Sequence, residues 1–242
     1  MLAAGLWGGF GALSLLLGAG LGLAFTIPRR AIGLVMGFGA GVLISALAFE
    51  LTAEAFAAGG ADAVAAGLAA GALAFFLGDW AIDRFGGDHR KSCTGKQANG
   101  SPSGLLLGAI LDGIPESTVI GTTLLMGEGI SLPVVAAVFL SNLPESLSSA
   151  TGMRHAGHSP AWVLGVWSAV VAVCALSAAL GFALLADASG NWVGFIQAFA
   201  AGAVLTMLAD TMMPEAFEHG GKAVGLATAF GFAAAFLLSM IA

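Results

Sequence analysis

Long apolar runs, separated by short polar or glycine-containing breaks, make up almost the whole chain. A helix that crosses a bilayer needs about 20 mostly apolar residues, and eight runs reach that length. Their predicted bounds are 2–26, 31–57, 62–85, 104–126, 131–153, 161–186, 191–217 and 220–242. A membrane barrel would instead show short strands of alternating apolar and polar residues. The pattern therefore predicts an all-α integral membrane protein, with eight transmembrane helices in a single domain over 1–242 and a polar loop at 86–103.

Composition narrows the class of protein further. Hydrophobic residues make up 58% of the chain and charged residues 9%, whereas an ordinary soluble domain is about 25% charged. So few charges cannot cover the surface of a soluble globule, which excludes a soluble enzyme, a nucleic-acid binder and a disordered chain. We expect the lipid bilayer as a partner and expect no nucleic acid.

The basic residues predict the orientation of the chain. All of them lie in or beside odd-numbered connections between the predicted spans: Arg29, Arg30, Arg84, Arg90, Lys91, Lys96, Arg154 and Lys222. Because Lys and Arg accumulate on the cytoplasmic side, the loop 86–103 is predicted to be cytoplasmic and both termini to lie outside. The acidic composition and the lack of a transit-like start favour a prokaryotic cytoplasmic (inner) membrane.

Two internal repeats are visible. The fourth and fifth predicted spans each carry a Pro-Glu-Ser near their middle, at 115–117 and 144–146. In addition, 38–56 of the second span aligns with 199–217 of the seventh, and the two end on Ala-Glu-Ala-Phe and Pro-Glu-Ala-Phe. These two spans run in opposite directions in the predicted topology, which is typical of the inverted repeats of secondary transporters. Chance similarity between glycine- and alanine-rich helices is the alternative.

Three carboxylates are predicted near the bilayer midplane: Asp112, Glu116 and Glu145. An ionised carboxylate there costs about 2.5–3.5 kcal/mol on insertion scales. No Lys, Arg or His is predicted at this depth, so we expect a bound cation or a proton to neutralise the cluster.

The spacing of these acids suits a metal ion. Asp112 and Glu116 lie four residues apart and share one helix face, and Ser141 and Glu145 repeat that spacing one span later. With Asn142, two helix faces offer three carboxylates, an amide and a hydroxyl. Proline within each span frees a backbone carbonyl, which can also bind an ion. The alternative is a pair of kinked helices with protonated acids.

Further acids predict a route for cations on either side of this cluster, because an acidic path concentrates cations. Glu50 and Glu54 are predicted in the outer half of the second span. Asp79, Asp210, Glu215 and His219 are predicted on the cytoplasmic side. Interfacial positions, hydrogen bonds between helices and an ordinary loop histidine are the alternatives.

Taken together, these features resemble the ZIP family of divalent-metal transporters. The resemblance rests on the eight spans, the polar loop after the third, the two Pro-Glu motifs and the Pro-Glu-Ala-Phe-Glu-His-Gly ending at 214–220. It covers essentially the whole chain. It implies an inverted-repeat (3+2+3) bundle that moves a divalent metal ion into the cytoplasm.

The resemblance also implies which residues bind the metal. By motif position the ligand roles carry over to Asp112, Glu116, Ser141, Asn142 and Glu145, of which Asp112 and Ser141 stand where the family has histidine. Zinc is the family default, while a site made only of oxygen ligands suits Mn or Fe(II) better than the usual motif does. We expect a transported divalent cation, Zn with Mn, Fe or Cd as alternatives, and no prosthetic group.

Other functions remain open at this point. A ZIP-like membrane protein that has lost transport could act as a scaffold or sensor, and the carboxylates alone would also permit transport of another cation or of protons. An intramembrane hydrolase needs a Ser–His pair or a metal-activated water, and no histidine is predicted at membrane depth, so no enzyme is expected. A homodimer is left open.

Overall fold

The computed structural model describes residues 1–126 and 129–241, and the predicted end of the last span at 242 lies outside them. The helices in this part of the chain are α1 (Leu2–Ala24), α2 (Arg29–Ala46), α3 (Thr52–Ile82), α4 (Pro102–Thr123), α5 (Leu132–His155), α6 (Pro160–Leu185), α7 (Gly190–Met207), α8 (Met213–Gly220) and α9 (Ala223–Ser239). π-Helical turns lie at Leu47–Leu51, Asp83–Gly87 and Leu208–Met212, and 3-10 turns at Lys96–Asn99 and Leu124–Met126.

Serine and proline mark the starts of three helices. Ser101, Ser131 and Ser159 each precede a helix, and each hydroxyl accepts a hydrogen bond from a backbone N–H of the first turn of α4, α5 and α6. A proline follows in the first turn of each helix, where its missing N–H costs nothing. These local signals set where the central helices α4 and α5 begin.

The membrane class predicted from the sequence agrees with the fold. The described residues contain helices and no strand, and five helical stretches among them are long and apolar enough to cross a membrane: Leu2–Ala24, Arg29–Gly87, Pro102–Thr123, Pro160–Leu185 and Gly190–Gly220. Arg29–Gly87 has 59 residues and is interrupted at Gly60, whose φ of 73° and ψ of −178° are not helical. This interruption falls between the predicted second and third spans.

The segments 38–56 and 199–217, which align in sequence, also share backbone irregularities. Each contains a π-helical turn at the same offset, Leu47–Leu51 and Leu208–Met212. Each is then followed, again at the same offset, by a glycine with positive φ, Gly60 at 73° and Gly221 at 63°. A side chain is strained at such φ values, so both breaks need glycine.

Two helix pairs, α3 with α7 and α2 with α9, approach each other closely at glycines. A Cβ on Gly71 would lie 1.8 Å from the Phe199 carbonyl oxygen, and a Cβ on Gly231 would lie 2.0 Å from that of Phe38. Phe38 and Phe199 are equivalent positions of the aligned segments. Small residues permit such close helix contacts in lipid, so α3 packs on α7 much as α9 packs on α2.

The central helices α4 and α5 lie within the bundle. α1 packs against α5 and α6, α2 packs against α5, α8 and α9, and α4 packs against α6 and α7. α5 is buried along most of its length although it carries many Ser, Thr and Asn residues. This polar, buried helix also contacts α4, and each of the two helices contains an internal proline, Pro115 and Pro144.

Candidate functional site

The structure brings the three predicted carboxylates together in the interior. Asp112 and Glu116 lie one turn apart on α4, Glu145 lies on α5, and each is at most 4% exposed. Lys91 joins the two helices, because its Nζ lies 3.4 Å from Asp112 Oδ2 and 3.2 Å from Glu145 Oε1. Glu116 is buried one turn after Asp112. These three residues, called the carboxylate cluster below, lie on the two helices as the helical spacing predicts, and their role as one metal site stays a prediction.

The expectation that no basic side chain reaches this cluster is wrong. Arg90 donates a bidentate pair of hydrogen bonds to Asp112, from Nε to Oδ2 and from Nη2 to Oδ1, both at 2.9 Å. Arg90 Nη2 also lies 2.6 Å from Asp79 Oδ1. Both Arg90 and Lys91 are buried. The protein thus supplies its own counter-charge to Asp112 and Glu145.

These two cations come from the polar segment 88–101, which folds back into the bundle instead of remaining a solvated loop. Its backbone is held by hydrogen bonds from interior side chains: Ser148 Oγ donates to the Lys91 carbonyl at 2.6 Å, and Gln97 Nε2 donates to the Ser92 carbonyl. Gly152 of α5 lets the segment approach, since a Cβ there would lie 1.9 Å from the Ser92 oxygen. Hydropathy did not reveal this re-entry, although three unpaired acids in one cluster were a signal that partners were needed.

Glu116 differs from the other two acids. Both of its carboxylate oxygens are buried, and neither has a hydrogen-bond partner among the described residues. Glu145 Oε2 is likewise buried and has no hydrogen-bond partner among the described residues, whereas Glu145 Oε1 contacts Lys91. Two loop cations therefore pair with Asp112 and with Glu145 Oε1 and leave three carboxylate oxygens, both of Glu116 and Glu145 Oε2, without a hydrogen-bond donor among the described residues. A buried carboxylate without donors needs a cation or a proton.

The other two predicted ligands lie on α5, one turn before Glu145. Ser141 is fully buried, and its hydroxyl donates to the Val138 carbonyl at 3.0 Å, which leaves its oxygen lone pairs for an acceptor role. Asn142 is buried beside it. Their role as ligands stays a prediction.

Two cavities near the cluster differ in polarity. A cavity of about 300 Å³ is lined by Asp79, Asp210 and Glu215, together with Arg90 and Lys91. A cavity of about 10 Å³ is lined by Glu116 and by apolar residues of α2, α4, α5, α7 and the π-helical turn at 47–51: Leu43, Leu47, Leu51, Val119, Val134, Val138 and Val204. Arg90 and Lys91, which contact the cluster, therefore line a polar vestibule, whereas Glu116 borders a small cavity with apolar walls.

The predicted route residues divide accordingly. Asp79, Asp210 and Glu215 line the vestibule, and His219 contacts Glu215 with 2.9 Å between Nε2 and Oε1. Glu50 and Glu54 line neither of the two cavities. Glu54 instead accepts a hydrogen bond from Gln197 at 3.2 Å.

Comparison with known proteins gives a similarity to a curated plant protein. No family model matches the chain. A curated protein of Arabidopsis thaliana named "Putative zinc transporter" is 28% identical to it over 190 residues. The match covers 77% of this chain and 30% of the plant protein, so this chain spans about a third of that relative's length.

Proposed function

We propose that this chain, a divergent relative of the ZIP family, moves a divalent metal ion across a membrane through the carboxylate cluster of α4 and α5. The observation that carries the proposal is Glu116, whose two buried oxygens have no donor among the described residues. Glu145 Oε2 is a second such oxygen in the same cluster. A hard or borderline cation is the natural partner for these atoms.

The proposed ligands are Asp112, Glu116, Ser141, Asn142 and Glu145, all of them buried. They offer only oxygen atoms and one amide group, so the site is harder than one that contains imidazole. Zinc follows from the similarity to a named zinc transporter, and Mn, Fe(II) or Cd are the alternatives that the ligand set permits.

Arg90 and Lys91 define how the metal ion would enter the cluster in the proposed transport step. They occupy one side of Asp112 and Glu145, so an incoming metal ion competes with them for the same carboxylates. Displacing tethered cations keeps the net charge of the buried cluster low at each stage, which avoids the cost of bare charges in the interior. The acids of the vestibule attract cations to its mouth.

The proposed architecture is eight spans in a single domain over 1–242, arranged as an inverted 3+2+3 repeat. The matching π-helical turns, the paired positive-φ glycines and the equivalent backbone contacts support the repeat. With both termini outside, the vestibule faces the cytoplasm and transport is inward, in a prokaryotic inner membrane. Asp79, Asp210, Glu215 and His219 would lie on the exit side, and Glu50 and Glu54 on the entry side.

Removing Glu116 is the direct test of this function. We expect Glu116→Gln to reduce uptake of Zn, Mn, Fe(II) and Cd into proteoliposomes at least about tenfold, since even indirect partners of a metal are worth about 10–100-fold in affinity. Uptake is followed with a metal-sensitive dye inside the vesicles. Asp187→Asn, at an exposed acid outside the cluster, is the matched control and should transport normally.

Two results would count against the proposal. Unchanged uptake by Glu116→Gln and by Glu145→Gln would remove the cluster from the transport path. No uptake of any metal by the folded wild-type protein would favour the scaffold or sensor alternative instead.

Neutralising Lys91 tests the competition between loop cations and metal. We expect Lys91→Gln to lower the metal concentration at half-maximal uptake several-fold, because Glu145 Oε1 and Asp112 Oδ2 lose a bound cation. The concentration dependence of uptake measures this. Lys222→Gln, which removes an exposed lysine, should leave it unchanged, and an increase for Lys91→Gln would contradict competition.

A further inference from the structure

An apolar groove opens on the surface of the bundle and shares no lining residue with the vestibule. It has a volume of about 420 Å³ and is formed by three helices, α1, α5 and α9. The side chains that form its walls include Trp7, Phe10, Leu132, Ala136, Phe139 and Leu238. No charged side chain lines it among the described residues. The groove therefore suits an apolar ligand and not an ion.

The groove lies at one end of the bundle, at the depth of a single leaflet. Trp7 is in the second turn of α1, Leu132 is the first residue of α5, and Leu238 is in the last turn of α9. This is the end of the bundle that carries both chain termini. Along α5 the groove runs from Leu132 to Leu140, about 12 Å at 1.5 Å per residue. The apolar part of one leaflet is about 15 Å deep, and Trp is typical of its outer boundary.

Aromatic rings fix the shape of the groove. Phe10 stacks on Phe139 with ring centroids 5.7 Å apart and an interplanar angle of 27°. Trp7 meets Phe10 edge to face, with centroids 5.8 Å apart and an angle of 83°. Val135 also lines the groove and is only 3% exposed. Because aromatic pairs hold each other in place, the walls are formed before any ligand arrives.

The size of the groove fits an acyl chain and not a helix of a second copy. A methylene is about as large as a water molecule, roughly 30 Å³, so about a dozen methylenes fill the groove. A 12 Å length of helix about 10 Å wide occupies roughly 900 Å³. Lipid chains are as apolar as the groove, so the preference rests on close packing contacts and not on the hydrophobic effect.

The groove and the small cavity beside Glu116 have α5 as a common wall. Val134 and Val138 line that cavity, while Val135 and Ala136 line the groove. A chain bound in the groove thus packs on another face of the helix that borders Glu116. It also fills the space that α1 and α9 leave on α5.

We propose that the groove binds one acyl chain of a phospholipid from the leaflet on the side of the chain termini. The bound chain completes the packing of α5 between α1 and α9, and it stays with the protein while the surrounding lipid exchanges. The lipid is selected by its chain and not by its headgroup, because the described lining residues carry no charge. This proposal does not depend on metal transport.

Removal and return of lipid test the site on the purified protein in detergent. Dioleoyl phosphatidylglycerol and dioleoyl phosphatidylcholine should each raise the melting temperature of the delipidated wild type by about 3 °C or more at about ten times the half-saturating concentration. Glycerophosphocholine, which has the headgroup without the chains, should have no effect. Native mass spectrometry should count one retained phospholipid per protein.

Filling the groove should remove the ligand. Ala136→Leu places a side chain in the groove, so this variant should lose the retained phospholipid and melt at the same temperature with and without lipid. Ala172→Leu is the matched control at an exposed alanine of α6 outside the groove, and it should respond as the wild type does. Phe10→Ala removes a wall without adding bulk and should reduce the shift, which keeps the test decisive if Ala136→Leu does not fold.

Three results would overturn the site. They are no shift in the wild type, a shift that follows the headgroup, and equal shifts in the wild type, Ala136→Leu and Phe10→Ala. A wild-type dimer that Ala136→Leu converts to a monomer, measured by light scattering, would assign the groove to a second copy instead. No metal is present in these measurements, so they are independent of the uptake by proteoliposomes that tests the carboxylate cluster.

Discussion

Asp112→Asn is expected to destabilise the folded protein by about 3–5 kcal/mol, the typical cost of breaking a buried ion pair by removing one partner. Asp112 contacts both buried cations: two of its distances to Arg90 are 2.9 Å, and Lys91 Nζ lies at 3.4 Å. Without it, Arg90 retains Asp79, and Lys91 retains Glu145. The measurement is thermal unfolding in a fixed detergent, followed by the loss of helical circular dichroism.

A double-mutant cycle separates the ion pair from other effects of the substitution. If the pair is the cause, Arg90→Gln combined with Asp112→Asn should cost clearly less than the sum of the two single variants. The exposed acid Asp62 gives the matched control, Asp62→Asn, which should unfold like the wild type. Additive losses in the cycle, or a loss below about 1 kcal/mol for Asp112→Asn, would mean that Arg90 and Lys91 do not depend on this carboxylate.

Gly71→Ala should be the second large effect, at about 1–3 kcal/mol or more, because overpacking a closed contact forces the backbone to move. The added Cβ would lie 1.8 Å from the Phe199 carbonyl oxygen, so α3 and α7 must separate. If the two halves are equivalent, Gly231→Ala should cause a comparable loss, since its Cβ would lie 2.0 Å from the Phe38 oxygen. Thermal unfolding in detergent measures both variants.

Gly225 provides the control for the effect of alanine itself. No heavy atom lies within 4 Å of a Cβ at Gly225, which is also within a helix, α9. There alanine should be neutral or stabilise by up to about 1 kcal/mol. Similar melting temperatures for Gly71→Ala and Gly225→Ala would show that the close approach of α3 and α7 does not contribute to the stability of the folded protein.

The all-helical character of the described residues, the starts of α4, α5 and α6, and the membrane class follow from local and compositional properties of the chain. Apolar runs set the helices, and the Ser–Pro starts of α4, α5 and α6 set their beginnings, because a cap depends only on neighbouring residues. The spacing of Asp112 and Glu116 likewise placed both on one face, since helical periodicity is a local property. The Ala-Glu-Ala-Phe and Pro-Glu-Ala-Phe endings indicated the repeat that the π-helical turns and the glycines Gly60 and Gly221 support.

The partners of the acids depended on the tertiary structure. Nothing local to 88–101 indicates burial, because its charged and polar residues are those of an ordinary solvated loop. The segment enters the bundle only because Ser148, Gly152 and Glu215 meet it there, and these residues are distant in sequence.

The amino-acid sequence by itself therefore determined the all-helical character, the membrane class and the shared face of Asp112 and Glu116, which depend on neighbouring residues and on hydrophobicity. Only the tertiary structure decided that Arg90 and Lys91 neutralise Asp112 and Glu145, and that Cys93 meets Glu215 and His219. The physical reason is that a buried charge or donor is compensated by whichever group the fold brings within contact distance, and sequence separation does not limit that choice.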